Sequence, residues 1–99
     1  MGFAKRYKLG QGMNFRSESS SIDFVVREIG GTKSTRTARL EIRGVPEIIS
    51  LNLDRNCGDI MLYDGIKIGL TPMRTSQSEV DIFTDAPERY EMNTRTYSD

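Results

Sequence analysis

The sequence predicts an all-β protein: a mainly antiparallel sheet, or a small barrel or sandwich, of six to seven strands with a short C-terminal helix. Three observations carry this prediction. From Thr37 to Arg43, Ala38, Leu40 and Ile42 alternate without a fault against Arg39, Glu41 and Arg43. Successive strand side chains point to opposite faces, so this is a strand with one buried and one charged face. Asp64-Gly65 stands between two apolar runs, the pattern of a two-residue type I′ hairpin turn. Ile22 to Ile29 is dense in β-branched and aromatic residues, which fit a pleated surface.

Taken in order, Phe3 to Leu9 sets Phe3, Lys5, Tyr7 and Leu9 against Ala4, Arg6 and Lys8, and its lysines suit an edge strand. Gly10-Gln11-Gly12 is expected to end it, and Ser17 to Ser21 to form a polar loop. In the strand Ile22–Ile29, Ile22, Phe24 and Val26 share one face while Val25 and Ile29 take the other, which predicts cover on both sides. Gly30 to Thr35 reads as a hairpin loop. Thr37 to Leu53 is expected to hold the central strand pair, interrupted at Gly44-Val45-Pro46 because proline has no N–H for a ladder. Its second strand places Ile49, Leu51 and Leu53 on one face. Asp54 to Gly58 is a turn cluster. Around Asp64-Gly65, counting outward pairs Tyr63 with Ile66, Met61 with Ile68 and Asp59 with Leu70, and puts Leu62 beside Lys67 and Ile60 beside Gly69. Pro72 to Ser78 is a loop and Val80 to Thr84 a last strand. Asp85 as N-cap, Pro87 in the first turn and Glu88 at the reciprocal capping position predict a helix over Ala86–Met92. Asn93 to Asp99 is expected to be a frayed tail.

The 99 residues fit one β domain spanning 1–99, and 36% apolar content without tryptophan is a thin core that oligomerisation would complete. A dimer is the favoured assembly. No apolar run reaches the roughly 18 residues of a membrane span. The opening MGFAKRYKLG has no apolar h-region, and Arg6 stands where a myristoylation motif needs Ser or Thr, so a cytoplasmic location is expected. The chain has no histidine, which removes Ser-His and Cys-His catalysis and histidine zinc sites. A single cysteine, Cys57, builds neither a disulfide nor a thiolate metal site, and a lone thiol is more often packed quietly than reactive. Gly10-x-Gly12 is too short for a dinucleotide fingerprint and reads as a turn. Asp54, Asp59 and Asp64 lack calcium-loop spacing. The expectation is a protein that is not an enzyme and takes no cofactor or metal.

Charge is what remains. Residues 1–43 carry nine basic and four acidic side chains, net +5, and residues 44–99 five basic and ten acidic, net −5. Such asymmetry points to an anionic partner for the first half, to self-association, or to neutralisation within the fold. Lys5, Arg6 and Lys8 lie on the first strand, and Arg36, Arg39 and Arg43 in or before the central one. If those strands are neighbours, the six form one cationic stripe with Tyr7 available to stack, the usual equipment for single-stranded RNA. The alternative is a solvated sheet face tied by cross-strand ion pairs involving Glu41.

The order of features resembles the CsrA/RsmA family of small RNA-binding translational regulators. The resemblance rests on Tyr7-Lys8-Leu9-Gly10-Gln11, on Val25-Val26-Arg27-Glu28-Ile29-Gly30, and on Ala38-Arg39-Leu40-Glu41-Ile42 leading to Pro46. Ile66-Lys67-Ile68-Gly69-Leu70-Thr71-Pro72 is similar to the same third strand and turn, with Val80 to Thr84 following. Gln11 stands where the family has Glu. Leu51-Asn52-Leu53 and Ile82-Phe83-Thr84, the matches to its His-Arg strand, lack the arginine. The resemblance implies an intertwined antiparallel β dimer and RNA-mediated translation regulation. The competing expectations are an oligomeric structural or assembly subunit, for example of a virus particle, and a small inhibitor that binds another protein.

Overall fold

A computed structural model describes residues 2–31, 37–45, 50–54, 60–70 and 79–97. These form nine strands: β1 (Gly2–Lys8), β2 (Gln11–Arg16), β3 (Ser21–Gly30), β4 (Thr37–Arg43), β5 (Ser50–Asp54), β6 (Ile60–Tyr63), β7 (Ile66–Leu70), β8 (Glu79–Asp85) and β9 (Glu91–Thr96). They build two antiparallel sheets, ordered β1-β8-β7-β6 and β5-β4-β3-β2-β9, which are not closed into a barrel. The two sheets share one apolar core. Tyr7 of β1 meets Phe24 of β3 edge-to-face across it, with ring centroids 5.4 Å apart. Met13, Phe15, Ile22, Leu40, Ile66, Ile68 and Ile82 are wholly buried around them. No helix among the described residues is long and apolar enough to cross a membrane.

The first and last strands each join the sheet built mostly by the other end of the chain. β1 pairs with β8 along its whole length, from Gly2 opposite Asp85 to Lys8 opposite Glu79. β9 pairs with β2, from Gln11 opposite Thr96 to Arg16 opposite Glu91. The chain changes sheets at Leu9-Gly10, where Gly10 takes φ +85°. The first strand does end at this stretch, but only Gly10 belongs to the turn, since Gln11 and Gly12 are already in β2. Gly12 is required there because a Cβ would lie 1.8 Å from the Phe24 carbonyl oxygen.

Three further expectations about the strands are corrected. Thr37–Leu53 does form adjacent strands, Leu40 opposite Leu51, but β5 is an edge and β3 is the central strand. An extra residue at Arg27 shifts the β3–β4 register, so Ile29 pairs with Ala38 and packs on the core rather than sharing the face of Val25. Asp64 and Gly65 have φ 52° and 87°, as a type I′ turn needs, and Tyr63 faces Ile66 as predicted. Leu62 is then an extra residue, so Met61 pairs with Lys67 and Ile60 with Ile68. That bulge turns Leu62 into the core and leaves Met61 and Tyr63 exposed. Asp59 and Ile49 lie outside the described residues.

The expected helix over Ala86–Met92 is replaced by one turn and a strand. The Tyr90 N–H closes the turn on the Pro87 carbonyl at 3.0 Å, and Glu91 enters β9. Tyr90 is buried, and its hydroxyl donates to Asp64 Oδ2 at 2.8 Å. A helix this short is marginal alone, and the core contact with a six-residue ladder outweighs it. Asn93 to Thr96 is likewise strand, not frayed tail.

Candidate nucleic-acid interface

The six sequence-predicted cations do not form one stripe. Lys5, Arg6 and Lys8 lie on β1 in the four-stranded sheet, Arg39 and Arg43 on β4 in the five-stranded sheet, and Arg36 outside the described residues. Tyr7 is not available for stacking. It is fully buried, its hydroxyl has no hydrogen-bond partner, and burial pushes its pKa far up.

On β4 the outward charges are met by carboxylates. Arg39 Nε lies 3.1 Å from Glu28 Oε2, and Arg43 Nε lies 2.7 Å from Glu41 Oε2. Arg27 Nη2 binds the same Glu41 oxygen at 3.1 Å. Glu41 is thereby held below the usual glutamate range, chiefly by its hydrogen bonds from Arg27 and then Arg43. Arg43 also sits over the Tyr97 ring, 5.5 Å from its centroid. The Tyr97 hydroxyl donates to Asp23 Oδ1 at 3.1 Å, and burial followed by the Asp23 charge pushes its pKa up to about 12. This face is a closed polar network.

The β1 side is different. Arg6 is committed to Asp81 at 3.1 Å, which together with their hydrogen bond raises the arginine's pKa. Lys5 instead reaches across the layers and donates to Thr94 Oγ1 of β9 at 3.1 Å. The Lys8 N–H donates to Gln11 Oε1 at 2.8 Å, and Gln11 is paired with Thr96. Lys5 thus ties the edge strands β1 and β9 together as a seam between the sheets. Arg95 is exposed on β9 opposite Gly12, and alternation turns it away from Thr94 to the outward face of its sheet.

Among the described residues five basic side chains form no ion pair with a carboxylate: Lys5, Lys8, Arg16, Lys67 and Arg95. Three of them lie on the two strands of the seam, with Lys8 and Arg95 on the outward faces of different sheets. Lys8 stands opposite Glu79 in the ladder. Lys5 and Lys8 are among the sequence-predicted cations and Arg95 is not, because Asn93–Asp99 reads as a frayed tail in the sequence. The signal was there: Met92, Thr94 and Thr96 alternate with Asn93 and Arg95.

No group of three His, Cys, Asp or Glu side chains that could hold a metal occurs among the described residues. No family model, curated protein or solved structure matches the chain.

Proposed function

We propose that the protein is a non-enzymatic RNA-binding protein that takes single-stranded RNA along the β1–β9 seam, in keeping with a post-transcriptional regulator. The observation that carries this reading is that the two edge strands tied by Lys5 carry three cations without carboxylate partners, Lys5, Lys8 and Arg95. Uncommitted cations release counterions from phosphates without first breaking an ion pair. Edge strands add unpaired backbone groups that can meet base edges, and single strands expose those edges.

The test is binding of short single-stranded RNAs, followed by fluorescence anisotropy across a salt series. Wild type should bind at low salt and release at high salt. The triple variant Lys5→Ala/Lys8→Ala/Arg95→Ala should flatten the log–log salt slope by about two, from three lost phosphate contacts at about 0.7 each. Wild type indifferent to RNA at low salt would sink the reading. The double variant Arg39→Ala/Arg43→Ala, whose cations are already paired, should lose less than the triple.

A second reading, an oligomeric assembly subunit, has one observation in its favour. Met61 and Tyr63 are 56% and 49% exposed on β6, an edge strand without a charged residue. Light scattering separates the two, since this reading requires a fixed oligomer that gains no mass with RNA.

A further inference from the structure

A cavity of about 180 Å³ at β1 and β8 is lined by Ala4, Lys5, Arg6 and Asp81. Tyr7, Val80 and Ile82 belong to the core, so alternation turns Ala4, Arg6 and Lys8 of β1 to the outward face, with Asp81 and Phe83 of β8. The ladder sets Arg6 opposite Asp81 and Ala4 opposite Phe83. Small side chains make the hollow. Ala4 has a single methyl group, and the Phe83 ring lies over Gly2, where a Cβ would be 2.7 Å from its Cζ. Asp81 is only 4% exposed despite its outward face. Its Oδ1 accepts from Arg6 Nε at 3.1 Å, and its Oδ2 has no hydrogen-bond partner among the described residues. A carboxylate taken out of water needs donors on both oxygens, and an orphaned one costs more than a neutral acceptor would.

We propose that this hollow seats one unpaired base of the bound RNA through its exocyclic amine, with Asp81 Oδ2 accepting the amine N–H. The inference rests on the RNA-binding reading above and adds what that reading lacks, a group that reads a base. Cations on phosphates position a strand but carry no sequence information. A carboxylate accepts from the cytosine N4 amine, whereas uracil, of equal size, puts its O4 carbonyl in that place. Two acceptors face to face repel, so the hollow takes cytosine and turns uracil away. Charge selects a nucleotide over a free amine. Arg6 and Lys8 share the face with Asp81, so a nucleotide can bring a phosphate to the cations and an amine to the carboxylate together. A lone ammonium would meet the same cations as like charge.

The experiment compares oligocytidine and oligouridine of equal length by fluorescence anisotropy, between about 50 and 200 mM salt. Equal length gives equal charge, so the two salt slopes should match and the base edge alone should separate the affinities. Wild type should bind the cytidine strand about tenfold more tightly at every salt concentration. Asp81→Asn puts an N–H donor where the orphaned oxygen stands, which suits the uracil carbonyl, and should abolish or reverse the preference. Ala4→Leu fills the hollow from an exposed position. It should erase the preference while leaving the salt slope and the urea midpoint as in wild type. If Asp81→Asn does not fold, Ala4→Leu decides alone. If wild type binds both strands equally, water alone completes Asp81, and the proposal falls while the RNA reading stands. If a folded variant keeps the preference, the base is read elsewhere and the proposal falls. If wild type binds neither strand, both fall.

Discussion

The β1–β9 seam and the outward face of β4 are made from the same kinds of residue, and the sequence makes them look alike. Their electrostatics differ because of what stands opposite. On β4, Arg39 and Arg43 meet Glu28 and Glu41, the second of which also holds Arg27. In the seam, Lys5 meets a threonine hydroxyl and Arg95 a glycine position. Exposed ion pairs contribute little to stability, about 0–1 kcal/mol, yet they occupy the cation. Availability of charge is therefore a property of the ladder, not of the basic residue.

Transplanting the β4 condition into the seam tests this most severely. Thr94→Asp puts a carboxylate where Lys5 now finds a hydroxyl, and RNA affinity at low salt should fall about tenfold through repulsion and a lost phosphate contact. Unchanged affinity would show that the seam does not bind the strand. The reverse exchange, Glu28→Gln with Glu41→Gln, removes the carboxylates that meet Arg39, Arg27 and Arg43. It should raise low-salt affinity by a few-fold, about one added phosphate contact, and steepen the salt slope. A variant identical to wild type in the same titration would mean that these carboxylates do not limit what the arginines can bind.

Two smaller effects sharpen the contrast. Tyr7 anchors β1 from within the core but leaves its hydroxyl buried and unpaired. Tyr7→Phe removes that desolvated group and should stabilise the fold by about 1 kcal/mol in urea unfolding, with the RNA salt slope unaltered. Destabilisation would mean that the hydroxyl has a partner. The smallest effect is acidic. Because Arg27 and Arg43 lower the folded-state pKa of Glu41, its contribution is complete above the ordinary value of 4.5 and is lost as pH falls through the lowered one. The slope of stability against pH below 4.5 should be shallower in Glu41→Gln. The triple seam variant should keep the wild-type slope.

The parts of the fold that were legible are those where one local pattern decides. Ala38-Leu40-Ile42 alternates against charges, and Asp64-Gly65 can adopt the two positive φ angles of its turn. What escaped needed partners distant in sequence. Gly12 looks like punctuation until Phe24 is known to press against it. Asp85-Ala86-Pro87-Glu88 is a sound helix start that loses to the burial of Tyr90 and its bond to Asp64. Arg27 and Leu62 are bulges, and one extra residue reverses every facing beyond it. The site followed suit: Lys5 and Lys8 were visible as cations, but neither the strand that carries Arg95 nor the commitment of Arg6, Arg39 and Arg43 could be read without the strand order.

The exchange of β1 and β9 between the sheets bears on the order in which the fold can assemble. β2, β3 and β4 pair with their neighbours in sequence, whereas Gly2 is paired with Asp85 and Gln11 with Thr96. Pairings so remote in sequence form slowly. The Lys5–Thr94 contact needs both remote strands in place, so the seam is among the last features to form.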